Sequence, residues 1–248
     1  MTPPPQDLLQ RPDDAAPTTD PLSDVLHAVR LTGAVFFEFH AAAPFAAEAP
    51  PSATLAPHIL RGAEHAIEFH VIADGSCWGG LVDEEPIRLE TGDVIAFPHG
   101  DSHVMSSRPG MRGAVATYGP AFGRLPITIH GGPQGPADVK MICGFLTCDR
   151  APFNPLLAAL PRVLHDDASR DRGGEGAWIS QFIRHAVAES NAPRPGSATV
   201  LTKLSELMFL EVVRRHLETL PADRTGWLGA LRDPIVGRAI TLLHERPA

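Results

Sequence analysis

Gly92-Asp93-Val94-Ile95-Ala96-Phe97-Pro98-His99-Gly100-Asp101-Ser102-His103 is the stretch whose reading decides the fold of this chain. Five residues separate its first glycine from the proline, one separates the proline from the second glycine, and two separate that glycine from the final histidine. Gly92-Asp93 makes a tight turn into a strand. Val94, Ile95, Ala96 and Phe97 form that strand, apolar on both sides. Pro98 and Gly100 then bend the chain sharply, because proline presets φ and glycine accepts a reversed one. His103 starts the next strand. An ordinary hairpin with a surface histidine has the same spacing.

One hairpin upstream, His65-Ala66-Ile67-Glu68-Phe69-His70-Val71-Ile72-Ala73-Asp74-Gly75 reads as a strand closed by an Asp-Gly turn, and Ser76-Cys77-Trp78 opens the next strand. Alternation puts Glu68, His70 and Ile72 on one face, and Ile67, Phe69 and Val71 on the other. Further on, the strand from Val139 to Cys148 carries Met141, Cys143 and Phe145 on one face. A glycine inside a strand, here Gly144, often marks the close approach of another group. His70, His103 and Cys143 could converge if these strands close into a barrel. A thiolate with imidazoles suits Zn²⁺, which favours four nitrogen or sulfur ligands in a tetrahedron. His99 is the most available fourth ligand, with a water as the alternative. The competing reading is a buried thiol beside hydrogen-bonded core histidines, since free cysteines are commonly buried for packing alone. Glu68, Trp78, Phe97 and Met141 are the candidates to line an interior pocket.

These motifs resemble those of the cupin barrels, with Gly92–His103 matching the second cupin signature. Cupins of this kind place a metal-binding carboxylate seven residues before the glycine of the first signature, where Glu68 stands before Gly75. The His-x-His pair that should precede it falls at Arg61 and Ala63, so the common cupin metal triad is broken. The ordered set of segments is similar to the amino-terminal, cupin-type sensor half of AraC-family transcriptional regulators. Asp20 to Phe37 resembles the lead-in segment. Phe69-His70 through Trp78, Leu89 to Val94 and Pro98 to Val104 resemble the barrel core. Cys143-Gly144-Phe145 and Pro155 to Pro161 resemble the exit, and Pro195 to Pro221, Gly226-Trp227-Leu228 and Asp233 to His244 the helical tail.

The resemblance implies a mainly β fold with α elements: a jelly-roll cupin barrel, then a helical dimerisation and linker region. It divides the chain into an arm (1–19), a barrel (20–152), a helical region packing on the barrel or on a dimer partner (153–232) and the start of a linker helix (233–248). It also implies a homodimer that senses a small-molecule or redox effector and reaches DNA only through a helix-turn-helix domain. That domain would follow the Asp233 helix, and the sequence stops at Ala248 before it. An excised sensor half and a natural short form both fit.

Composition agrees. With 248 residues and 44% hydrophobic content the chain can build one barrel and an attached helical part. A net charge of −8 argues against this segment gripping phosphate backbones. Three cysteines make no disulfide framework and fit a reducing cytoplasm. No signal peptide and no membrane span is legible.

Along the chain, residues 1–19 read as disordered. Leu22 to Val29 reads as a helix, and Ala41 to Pro57 as loops around the barrel wall. Gly119 to Asp138 is a Gly- and Pro-rich loop able to cover the barrel mouth. Ala177 to Ser190 reads as a helix with Trp178, Phe182, Ile183 and Val187 near one face. A longer helix, capped by Ser197, runs from Ala198 to Leu220. Leu201, Leu204, Met208 and Val212 form its stripe, widened by Val200, Leu207 and Leu210. His130, His165, His185 and His216 read as surface residues.

Two functions are compatible with these features. One is a sensing module without enzymatic activity, relaying effector or metal occupancy through the helical tail. The other is a stand-alone cupin metalloenzyme, a dioxygenase or isomerase, with a metal open to oxygen or water. The broken triad and Cys143 favour the first.

Overall fold

A computed structural model describes residues 31–59, 65–115, 127–148, 155–167, 177–220 and 236. The expected arm, the helix over Leu22–Val29 and nearly all of the linker helix lie outside the described residues. The strands are β1 (Leu31–Ala41), β2 (Ala46–Ala49), β3 (His65–Leu81), β4 (Ile87–Glu90), β5 (Val94–Phe97), β6 (His103–Ser106), β7 (Thr128–Gly131), β8 (Val139–Cys148) and β9 (Leu164–Asp166). The helices are α1 (Ser52–Ile59), α2 (Pro155–Ala159), α3 (Ala177–Asn191) and α4 (Ser197–Thr219). Strands run β2-β6-β3-β8-β1-β7 across the sheet, with β4 and β5 also paired to β3, and β9 to β5. The fold is the cupin half-barrel with carboxy-terminal helices that the motifs implied.

β3 is the spine. Its first half pairs with β8 and β5, and its second half with β4 and β6. The register shifts between Ile72 and Asp74, a bulge opposite β8. One extra residue reverses the in-out alternation of everything that follows. Glu68, His70 and Ile72 face inward before it, whereas Cys77 and Leu81 join the interior after it. Trp78 is thereby turned outward, half-buried, with the Arg88 guanidinium 5.9 Å from its ring centre. This corrects the expectation that Trp78 lines an interior pocket.

The curled sheet separates two cores. Inside it lie Ile72, Cys77, Leu89, Ile95, Phe97, Met141, Cys143 and Phe145 among others. Outside it Ile67, Phe69, Val71, Val94, Ala96, Ile142 and Leu146 pack against α3 and α4. β5 serves both cores from alternate positions, which is why its sequence is apolar throughout.

Two expected loops contain structure. The Ala/Pro-rich segment holds β2, which pairs with β6, and α1, whose alanines suit a helix. In the Gly/Pro-rich segment, β7 pairs in parallel with β1. The rest of that segment up to residue 126 lies outside the described residues, so the lid reading does too. The helices fall close to the expected bounds, but Ser197 is not the cap. Gly196, in a left-handed conformation, takes that place. The Ser197 hydroxyl instead donates to Glu189 at 2.5 Å and accepts from the Arg194 N–H at 2.6 Å, locking the α3–α4 corner.

Gly100 is needed for its backbone. Its φ is +68°, and a Cβ built there would stand 1.8 Å from Ser52 Oγ. Gly100→Ala is expected to destabilise the fold by roughly 1–3 kcal/mol, read by urea unfolding.

Candidate functional site

The site grows from a cross-strand pair. His70 of β3 stands opposite Cys143 of β8, and opposed residues on one face of a sheet bring their side chains together. His70 Nδ1 is 2.9 Å from Cys143 Sγ. His103, at the start of β6, places Nε2 2.8 Å from His70 Nε2 and Nδ1 3.2 Å from the Asp101 carbonyl. Phe97 stacks on the His103 ring, centres 3.8 Å apart and planes 12° apart. Glu68 Oε2 lies 3.6 Å from His103 Nε2, and Glu68 Oε1 is buried without a hydrogen-bond partner. Glu68, His70, His103 and Cys143 are 1%, 8%, 1% and 2% exposed, so every polar atom here needs an internal partner.

Burial decides the charges. It raises the Glu68 carboxyl to about 8, so the acid is neutral at pH 7. It lowers His103 to about 4 and, with the nearby His103, pushes His70 well below its ordinary value. The Cys143 thiol is driven well up, by burial first and then by Cys77 and Glu68. The Glu68–His103 contact is therefore between neutral groups, not an ion pair.

Neutrality fixes where each proton sits. A carbonyl only accepts, so His103 Nδ1–H donates to Asp101 and His103 Nε2 becomes an acceptor. His70 Nε2–H must then donate to it, which leaves His70 Nδ1 to accept from the Cys143 thiol. A single directed chain results: Cys143 to His70 to His103 to the Asp101 backbone.

The expected ligands are thus partly brought together and differently used. His70, His103 and Cys143 meet, but His70 turns its two ring nitrogens to opposite partners, and one ion cannot hold both. Two nitrogens sharing a tetrahedral zinc stand about 3.3 Å apart, farther than the 2.8 Å between the two Nε2 atoms. Among the described residues no group of three or more His, Cys, Asp or Glu side chains is placed to hold a metal ion. The side chains as they stand do not fit the expected zinc shell. His99 is outside the cluster altogether: it is exposed, and its Nε2–H donates to the Leu160 carbonyl at 2.9 Å.

Of the expected pocket residues, Phe97 and Met141 are interior, Met141 with its sulfur 3.9 Å from Cys77 Sγ. Glu68 is part of the cluster itself. Both described free thiols are buried, and Cys77 is raised to about 12, chiefly by burial. Such thiols are poor nucleophiles, which weighs against direct redox sensing. His130 and His185 are exposed as expected. His216 is half-buried, and so is His165, which meets the Asp93 carboxylate at 3.4 Å. Sequence reasoning missed the Asp101 backbone and Arg162, which grips the Asp101 carboxylate at 2.8 Å. An acidic residue two before a buried histidine was the available signal.

The sequence profile of a cupin family matches residues 20–218, and the chain belongs to that family. It is 30% identical over 192 residues to an AraC-like transcription regulator of Streptomyces antibioticus, covering 77% of this chain and 61% of that protein. It is 30% identical over 190 residues to an AraC-like transcription regulator of Streptomyces lividans, covering 75% and 60%. Identity to the HTH-type transcriptional regulator AlkR of Acinetobacter baylyi is 26% over 193 residues, covering 77% and 61%. The chain thus spans about three fifths of the length of the curated relatives it matches. Among the described residues no helix is long and apolar enough to cross a membrane.

Proposed function

We propose that this chain is the effector-sensing and dimerisation module of an AraC-type transcription regulator and carries out no chemistry of its own. DNA contact in this reading belongs to a helix-turn-helix domain outside these residues, and the protein works in the cytoplasm. The observation that carries the reading is the directed, neutral cluster of Glu68, His70, His103 and Cys143, buried in a barrel whose outer face packs on α4. An unpartnered Glu68 oxygen in that interior favours an effector able to hydrogen-bond to a neutral acid.

Zinc is a second occupant, for which His70, His103, Cys143 and the Glu68 carboxyl supply the residue types but not the spacing. It would require the His70–His103 hydrogen bond to break and the two Nε2 atoms to move apart from 2.8 Å, so an organic effector is the preferred reading. Binding of a small molecule without its turnover, followed by ligand-detected NMR on the full chain, tests this function. Steady conversion of any bound compound would return the metalloenzyme reading.

Dimerisation is assigned to α4. Its buried face holds Leu201, Met208, Phe209, Val212 and Val213, yet Val200 and Leu207 are 46% and 50% exposed. Val200, Leu204 and Leu207 recur at four and then three residues, an apolar stripe beside the buried one. If two α4 helices cross antiparallel at Leu207, Leu204 meets Leu210 and Lys203 meets Glu211, while Val200 falls against Arg214. Leu207→Glu is expected to convert the dimer to monomer in sedimentation velocity. Stability should stay within about 0.5 kcal/mol, because the residue is surface-exposed in the single chain. A dimer that survives the substitution would remove α4 from the interface.

A further inference from the structure

Arg162 occupies the connector between α2 and β9, far in sequence from the buried cluster and absent from every motif. Its Nε and Nη2 hold the two Asp101 carboxylate oxygens at 3.2 and 2.8 Å, and its Nη1 reaches Glu84 at 2.6 Å. Two residues earlier, the Leu160 carbonyl takes the His99 hydrogen bond at 2.9 Å. The connector is therefore pinned to the β5–β6 turn on both sides of Gly100. Asp101, gripped through its side chain, is the residue whose backbone carbonyl sets the direction of the His103 ring. Downstream the connector becomes β9. It pairs with β5, and its Asp166 meets Arg215 of α4 at 3.3 Å, with both side chains largely buried.

We propose that Arg162 is a positioning residue for His103, and that the connector at 160–166 carries the state of the buried cluster to α4. This rests on the sensing reading above and names its route. An isolated exposed ion pair contributes little. Arg162 differs because its planar fork binds one carboxylate at two points while a second carboxylate and a backbone bond hold the same segment. An event that turns the His103 ring takes away the bond at the Asp101 carbonyl and loosens the peptide that Arg162 grips. The strain passes along one rigid connector to the Asp166–Arg215 pair. Coupling of this kind is reciprocal, so loosening the connector must also free the His103 ring.

The test uses the full chain labelled with ¹⁵N histidine. In Arg162→Ala, the His103 ring is expected to lose its single Nδ1–H tautomer, although that ring is 1% exposed and far from solvent. Arg162→Lys keeps the charge without the fork and should give an intermediate spectrum. Amide exchange around Arg215 should quicken roughly fivefold in His103→Gln, and much less when Arg162 is already alanine. Unchanged His103 signals in Arg162→Ala, or an equal His103→Gln effect in both backgrounds, overturns the proposal. Sedimentation of the same samples separates the two levels: a monomeric wild type sinks the dimer reading, while the His103 spectrum still decides the role of Arg162.

Discussion

Glu68→Gln is expected to stabilise the chain relative to wild type as pH rises, by on the order of 4 kcal/mol between pH 4.5 and 8. The carboxyl titrates near 4.5 when unfolded and is raised to about 8 by burial. Between those values the folded state keeps a proton that the unfolded state releases. Stability is therefore fully present below the unfolded value and is lost as pH climbs through the folded one. Glutamine cannot ionise and fills the same space, so the variant escapes the loss. The histidines bend the acid side the opposite way. His103 is lowered from 6.5 to about 4, and His70 lies well below its ordinary value. Below pH 6.5 the unfolded chain takes up protons that these rings refuse, and stability falls with pH. Wild type should be most stable near pH 6.5, with Glu68→Gln removing the alkaline decline and steepening the acid limb above pH 4.5. Urea unfolding across pH 4 to 9 reads both limbs, and parallel alkaline limbs in the two proteins would refute the neutral acid.

His70→Ala should cost roughly 2–4 kcal/mol, because it removes the middle of the chain and strands a partner at each end. The Cys143 thiol loses its acceptor, and His103 Nε2 its donor. Direction makes a sharper comparison. Cys143→Ser keeps a hydroxyl able to donate to His70 Nδ1 and should stay within about 1 kcal/mol of wild type. Cys143→Ala leaves that nitrogen unpartnered and should cost more than the serine variant. Equal losses in both would mean that Cys143 matters for volume alone.

Much of the barrel was legible because its signals are local. The turn at Gly92, the bend at Pro98 and Gly100, and the alternation through Glu68, His70 and Ile72 each follow from a few adjacent residues. The meeting of His70, His103 and Cys143 followed from alternation plus a barrel. Trp78 was misplaced because nothing in Ala73-Asp74-Gly75 distinguishes a bulge from a clean hairpin turn. β2 and β7 were hidden in segments dominated by alanine, proline and glycine, where pairing with β6 and β1 overrides weak local preference. The arrangement that bears on the zinc shell lies at a level sequence does not carry. Residue types suited the metal, but the side on which each imidazole nitrogen lies depends on the Asp101 carbonyl, a backbone atom common to every residue. His99 was the most available fourth ligand, yet the bend after Pro98 turns it outward onto Leu160.

The most direct test is a Zn²⁺ titration of chelator-washed, ¹⁵N-histidine-labelled protein at pH 7, followed by ring ¹⁵N NMR. The hydrogen-bonded chain should show neutral rings, His103 protonated on Nδ1 and His70 on Nε2, with neither signal moved by one equivalent of zinc. Stoichiometric zinc binding that shifts both rings and is lost in Cys143→Ala would contradict it, and would replace the hydrogen-bonded chain with a metal–thiolate centre.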